Sequence, residues 1–224
     1  MDSAAADSQE LPIKVLVVDD HNMVAEVLAS ALREQPDFQV VGIARTAAEA
    51  ESASREHHPD VVLMDYRLPD DDGAHAASII RRERPETKVV ILTAFADEAT
   101  LISALEAGCS GYISKDKAFK EVVSAVRAAH AGEALISQEM LVRLLPKLQK
   151  RSRGVGAQLT SRETEVLQFL AQGLSNQAIA DHLTLSLNTV RNHVQNVITK
   201  LGAHSKLEAV ANAAREGILQ SPVS

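Results

Sequence analysis

Two rhythms divide the chain. Through the first 130 residues or so, short unbroken apolar runs alternate with stretches in which apolar residues recur every three or four positions. The runs at 13–18, 38–44, 60–65, 88–93 and 110–114 have the length of strands buried on both faces. The stretches that follow them, 21–34, 46–57, 73–83, 97–106 and 118–131, read as helices with one apolar side. Five βα units predict an α/β doubly wound (βα)5 domain, a parallel sheet with helices on both faces, because parallel crossovers are nearly always right-handed. Past residue 131 the strand rhythm stops. Residues 137–148 suit a helix that Pro146 kinks or ends, and the basic, glycine-containing run 150–156 reads as linker, with DNA phosphate contact as its alternative. A second, all-α unit then begins. Thr160 to Glu163 has the form of a capping box, Gly173 closes that helix, and Ser175 and Ser186 open two more across the short turn 184–186. The pair across the turn is a helix-turn-helix pattern.

The strand ends carry the chemistry. Asp19 and Asp20 follow the first run, Asp65 ends the third, Thr93 ends the fourth, and Lys115 stands just past the fifth. Taken alone, Asp65 reads equally well as a turn cap before Leu68-Pro69 and Asp70-Asp71-Asp72-Gly73. Open α/β sheets gather their ligands at the carboxyl edge, so three acids, a hydroxyl and an ammonium are predicted to converge there. Neighbouring carboxylates repel, and a hard divalent ion such as Mg²⁺ is the natural occupant. A carboxylate can attack phosphorus to give an acyl phosphate, with Lys115 and Thr93 offsetting charge on the transferred group. No glycine-rich phosphate loop occurs, so the pocket is expected to take a phosphoryl group rather than a nucleotide.

In the third helix of the second unit Val190, Val194, Val197 and Leu201 form an inward stripe. Arg191, Asn192, Gln195 and Thr199 are left outward, and the first three have the donors and acceptors that read base edges in a major groove. Asn176, Ser186, Asn188, Thr189 and Lys200 are placed to reach phosphates. Charge supports this division. Residues 1–149 hold 15 basic and 25 acidic residues, net −10, whereas 150–224 hold 8 and 5, net +3, so only the second half is suited to a polyanion. The single cysteine, Cys109, permits no internal disulfide and fits a reducing cytoplasm as a small buried residue. No apolar run approaches the roughly 18–20 residues that span a bilayer, and the eight histidines show no metal-ligand spacing.

Asp19-Asp20, Met64-Asp65, Leu68-Pro69 with Asp72-Gly73, Thr93-Ala94 and Gly111 to Lys115 together resemble the receiver domain of two-component response regulators. The resemblance implies that Asp65 accepts a phosphoryl group from a cognate sensor histidine kinase. It implies that Asp19, Asp20, Asp65 and the backbone carbonyl of Arg67 hold Mg²⁺, that Lys115 pairs with the phosphate, and that Thr93 and Tyr112 form a switch. The acidic acceptor loop, residues 66–73, departs from the common pattern. Residues 158–218 resemble the LuxR-type DNA-binding domain through Leu159 to Glu163, Gly173 to Asn176, and Thr189 to Val194. The combination resembles the NarL/FixJ-type regulators, which implies base contacts by Arg191, Asn192 and Gln195 and dimerisation through a last helix over 205–216. Gln177 stands where a basic residue is frequent. The expected organisation is a tail over 1–11, a receiver over 12–131, a partly helical linker over 132–157, the DNA-binding domain over 158–218, and a second tail over 219–224. The expected function is phosphorylation-switched control of transcription by a cytoplasmic, non-enzymatic homodimer on double-stranded, inverted-repeat sites, with no membrane contact. The alternatives are a phosphorylation-independent regulator whose receiver is an interaction module, and an aspartate-nucleophile phosphatase.

Overall fold

The computed structural model describes residues 11–94, 97–117, 119–133 and 159–219. The predicted helix over 137–148 and the basic linker run lie outside the described residues. In chain order the elements are β1 (Ile13–Val18), α1 (Asn22–Arg33), β2 (Phe38–Ala44), α2 (Ala47–His57), β3 (Val61–Asp65), α3 (Gly73–Glu83), β4 (Lys88–Thr93), α4 (Glu98–Glu106), β5 (Gly111–Ser114) and α5 (Phe119–His130). They are followed by α6 (Ser161–Ala171), α7 (Asn176–Leu183), α8 (Leu187–Lys200) and α9 (Lys206–Arg215). The five strands form one parallel sheet in the order β2-β1-β3-β4-β5.

Strand alternation sorts the core into two faces. Val15, Val17, Leu63, Val90 and Leu92 join Ala25, Ala29 and Leu32 of α1 and Val122 and Val126 of α5. Leu16, Val18, Val62, Met64, Val89 and Ile91 face α2, α3 and α4 on the other side. That second cluster continues into the helical unit, where α9 packs on α4 and the stripe Val190, Val194, Val197 and Leu201 is buried as predicted. Local chemistry fixes the helix starts. Thr160 accepts from the Glu163 amide while the Glu163 carboxylate accepts from the Thr160 amide, completing the capping box, and Ser175, Ser186 and Ser205 cap α7, α8 and α9. Helix α5 ends in a left-handed Gly132 at φ 72°, with Glu133 N–H bonded back to the Ala128 carbonyl at 2.7 Å. Glu133, at the start of the segment expected as linker, is thus bonded to the end of α5.

Candidate functional site

The order of strands places the topological switch between β1 and β3, neighbours whose chains leave in opposite directions across the sheet, β1 toward β2 and β3 toward β4. Asp19 follows β1 and Asp65 ends β3, so both stand at the mouth of that crevice. Lys115 Nζ lies 2.6 Å from Asp65 Oδ2 and 2.6 Å from Asp19 Oδ2. Its own amide donates to the Thr93 carbonyl at 2.7 Å, which ties the lysine to the end of β4. Asp19 and Asp65 are buried and share one ammonium, so the trio carries excess negative charge. Burial pushes the Asp65 carboxyl above its ordinary value, against the opposing pull of Lys115 and with the Asp19 charge adding to the rise. Burial opposes the Lys115 ammonium, yet its bonds to Asp19 and Asp65 outweigh this and hold its pKa high.

Asp20 is more exposed and pairs with His21 Nδ1 at 2.7 Å. One ligand atom from each of Asp19, Asp20, His21 and Asp65 falls within 4.8 Å of the others, a grouping able to coordinate a divalent metal. The donor set is mainly carboxylate oxygen, and the surplus negative charge is what a hard cation would neutralise. His21 was not singled out by histidine spacing; its position directly after the acidic pair was the available signal. Arg67 N–H donates to Asp65 Oδ1 at 3.3 Å, and an antiparallel bridge between Arg67 and Asp72 closes the acceptor loop. Gly73 has no substitute here, because a Cβ would collide with the Asp65 carbonyl oxygen.

Thr93 is buried at the end of β4, and Tyr112 is buried beside it. The Tyr112 hydroxyl lies 2.6 Å from Thr100 Oγ1 in α4, with Thr93 as a further hydrogen-bond partner. Burial pushes the Tyr112 pKa up. Thr100 escaped the sequence reading because nothing in its local pattern marks a helical threonine as a tyrosine partner. Tyr112 thereby links the pocket edge to the helix on which α9 packs.

In the helical unit Arg191, Asn192 and Gln195 lie on the exposed side of α8, away from the valine stripe, and Ser186, Asn188 and Thr189 cluster at its first turn. Ser186 Oγ and Thr189 Oγ1 are 2.8 Å apart. Two residues expected at phosphates are engaged elsewhere. Lys200 Nζ bonds Glu163 Oε2 at 2.7 Å, and this bond with that from the Thr160 amide holds the Glu163 carboxyl down to about 2, against the upward push of burial. Asn176 is buried against the receiver, its amide donating to Glu133 Oε2 at 3.3 Å.

The same Glu133 oxygen accepts from Lys206 Nζ at 2.6 Å. Burial pulls the Lys206 pKa below its ordinary value, with Glu133 working against that pull. Ser205 Oγ donates to the Cys109 carbonyl at 3.2 Å, and Arg215 meets Glu106 at 3.0 Å. Between the two units lies a cavity of about 440 Å³ lined by Lys88, Pro85 and Glu133 on one side and by Arg191, Gln195 and Lys206 on the other. Two of the predicted base-reading residues thus face the receiver. Cys109 is fully buried and its thiol is pushed up to about 12, so it packs rather than reacts.

Fold and site define a phosphorylation-competent receiver linked to a DNA-binding helix-turn-helix unit. The family described as response regulator receiver domain matches residues 15–127, and that described as bacterial regulatory proteins, luxR family, matches residues 157–213. The response regulator protein VraR of Staphylococcus aureus (strain Mu3) is 37% identical over 210 residues, spanning 94% of this chain and 100% of VraR. A LuxR-family two-component response regulator from Aurantimonas sp. SI85-9A1 is 32% identical with a TM-score of 0.57, over 61% of this chain and 97% of that one. The response regulator ChrA of a heme-sensing two-component system is 30% identical with a TM-score of 0.50, over 93% and 99%. The chain belongs to the NarL/FixJ-like two-component response regulators, a family not classed as catalytic enzymes. Among the described residues no helix is long and apolar enough to cross a membrane.

Proposed function

We propose that Asp65 is the phosphoacceptor and that its phosphorylation releases the DNA-binding unit from the receiver. The observation that carries this reading is the contact of Asp19, Asp65 and Lys115 at the sheet's switch point, joined through Tyr112 and Thr100 to the helix that holds α9. An Asp65 carboxylate oxygen attacks the phosphorus of a phosphohistidine on the partner kinase. The new O–P bond forms as the N–P bond breaks, and the imidazole leaves with the electron pair. Exposed Met23 and Val27 on α1 offer the kinase an apolar surface. Asp19, Asp20, Asp65 and the Arg67 carbonyl would hold Mg²⁺, which supplies positive charge to the phosphoryl oxygens when bound.

Lys115 then exchanges a carboxylate partner for a phosphoryl oxygen, and the Thr93 hydroxyl is drawn toward the same group. Tyr112, bonded to Thr100 and meeting Thr93, transmits that shift to α4 and weakens its hold on α9. The freed unit dimerises and places α8 in the major groove. Arg191, Asn192 and Gln195 read base edges, while Ser186, Asn188, Thr189, the Asn176 helix end and a released Lys200 meet phosphates. Two-fold symmetry gives inverted half-sites about 34 Å apart. The acceptor is tested by intact mass after incubation with acetyl phosphate and Mg²⁺. One added phosphoryl group in the wild type and none in Asp65→Asn supports it. An unmodified, constitutively dimeric wild type favours a phosphate-independent regulator.

A further inference from the structure

The acidic acceptor loop has one feature that capping and packing of α3 do not use. Asp72 caps α3 through the His75 amide at 2.7 Å, and Asp71 lies 2.5 Å from His75 Nδ1. Asp70 turns the other way. Its two carboxylate oxygens accept from the amides of Ala47 at 2.8 Å and Ala48 at 3.1 Å, the first two residues of α2. Thr46, the N-cap, takes only the Glu49 amide, at 3.0 Å. An aspartate 22 residues downstream therefore satisfies two of the free N–H groups at this helix start, where a negative charge is also favoured.

The contact joins two loops that flank the acidic pocket. The loop before α2 already borders the first acid, since the Asp19 amide donates to the Ala44 carbonyl at 3.1 Å and Arg45 bonds Asn22. The acceptor loop is pinned at its base by the Arg67–Asp72 bridge and by Gly73 N–H on the Tyr66 carbonyl at 2.7 Å. Asp70 pins its tip, with only Leu68 and the stiff Pro69 between it and Arg67. We propose that Asp70 is a positioning residue for the cation pocket, holding the Arg67 carbonyl and the Asp65 carboxylate in register with Asp19 and Asp20 by anchoring the acceptor loop to the start of α2. This rests on the reading of the pocket as a divalent-cation and phosphoacceptor site.

The test is a Mg²⁺ titration of the full chain followed through the amide shifts of Tyr66 and Gly73, with no phosphoryl donor present. Groups that orient metal ligands typically change affinity by about 10–100-fold when removed, so Asp70→Ala raises the midpoint about tenfold. Asp71→Ala removes the same charge from the neighbouring position without touching α2, and shifts the midpoint by less than about twofold, as one exposed charge in water should. Thr46→Ala weakens the same helix cap and leaves the midpoint at the wild-type value. Asp70→Asn retains one acceptor oxygen and falls between Asp70→Ala and wild type, which keeps the proposal exposed to refutation if the alanine variant misfolds. Equal midpoints for Asp70→Ala and Asp71→Ala, an unaltered Asp70→Asn, or a Thr46→Ala shift as large as that of Asp70→Ala would overturn it. A folded wild type with no Mg²⁺-dependent shift at all would instead overturn the pocket reading beneath it.

Discussion

Glu133→Gln should raise DNA affinity in the unphosphorylated protein. Glu133 Oε2 is 2.6 Å from Lys206 Nζ, and the lysine side chain is only 3% exposed while that of Glu133 is 23% exposed. Removing one partner of a buried ion pair costs about 3–5 kcal/mol when the other stays buried. Glutamine keeps an acceptor oxygen, and Glu133 is partly hydrated, so a loss near 2 kcal/mol is the better figure for the closed arrangement. Lys206 escapes the penalty if the two units separate, so the loss acts on the closed–open balance, and about 2 kcal/mol is roughly a 30-fold shift. Fluorescence anisotropy with a labelled duplex at fixed salt then reads a gain of up to about 30-fold in affinity, bounded by how far the wild type is closed. Glu121→Gln removes an equal, exposed charge from α5 and should gain less than about twofold. Equal binding by Glu133→Gln and wild type, or an equal gain in Glu121→Gln, would refute the role of this contact.

Three further outcomes follow from separate parts of the structure. Glu163 has its pKa lowered to about 2 in the fold, so the stability it contributes is complete above its ordinary value of 4.5 and is lost as pH falls through about 2. Urea unfolding of the helical unit, followed by amide signals of α6, should weaken across that window, and Lys200→Met should flatten the dependence. Gly73→Ala drives a methyl into the Asp65 carbonyl, so it should cost about 1–3 kcal/mol or more and lower the melting midpoint of the receiver. Arg191→Ala should cost about 1–3 kcal/mol on a selected operator and much less on random duplex. Equal losses on both would remove Arg191 from base reading.

The receiver was legible because its signals are local and repeat. Each buried strand declares itself as an apolar run, and each chemical residue sits at a run's end, so Asp19, Asp65, Thr93 and Lys115 needed no knowledge of packing to be grouped. The helix starts were equally plain where Thr160, Ser175 and Ser186 cap within three residues. What escaped depends on contacts between distant segments. Periodicity places Lys200 outside the valine stripe correctly, but it does not say that the buried Glu163, 37 residues earlier, claims its ammonium. Asn176 was expected to reach phosphates, and its bond to Glu133, a residue 43 positions earlier, belongs to the docking of the two units. The three consecutive aspartates after Pro69 read as one acidic loop, whereas they divide: Asp70 bonds the start of α2, while Asp71 and Asp72 bond the ring and the backbone amide of His75 in α3.

The central claim is that phosphoryl transfer to Asp65 frees the DNA-binding unit. Its most direct test is the affinity of the full chain for a selected operator, with and without acetyl phosphate and Mg²⁺, in wild type and Asp65→Asn. The account predicts tighter binding on phosphorylation in the wild type and no change in Asp65→Asn. An equal gain in both proteins, or a phosphorylated wild type that binds no better than before, would contradict it.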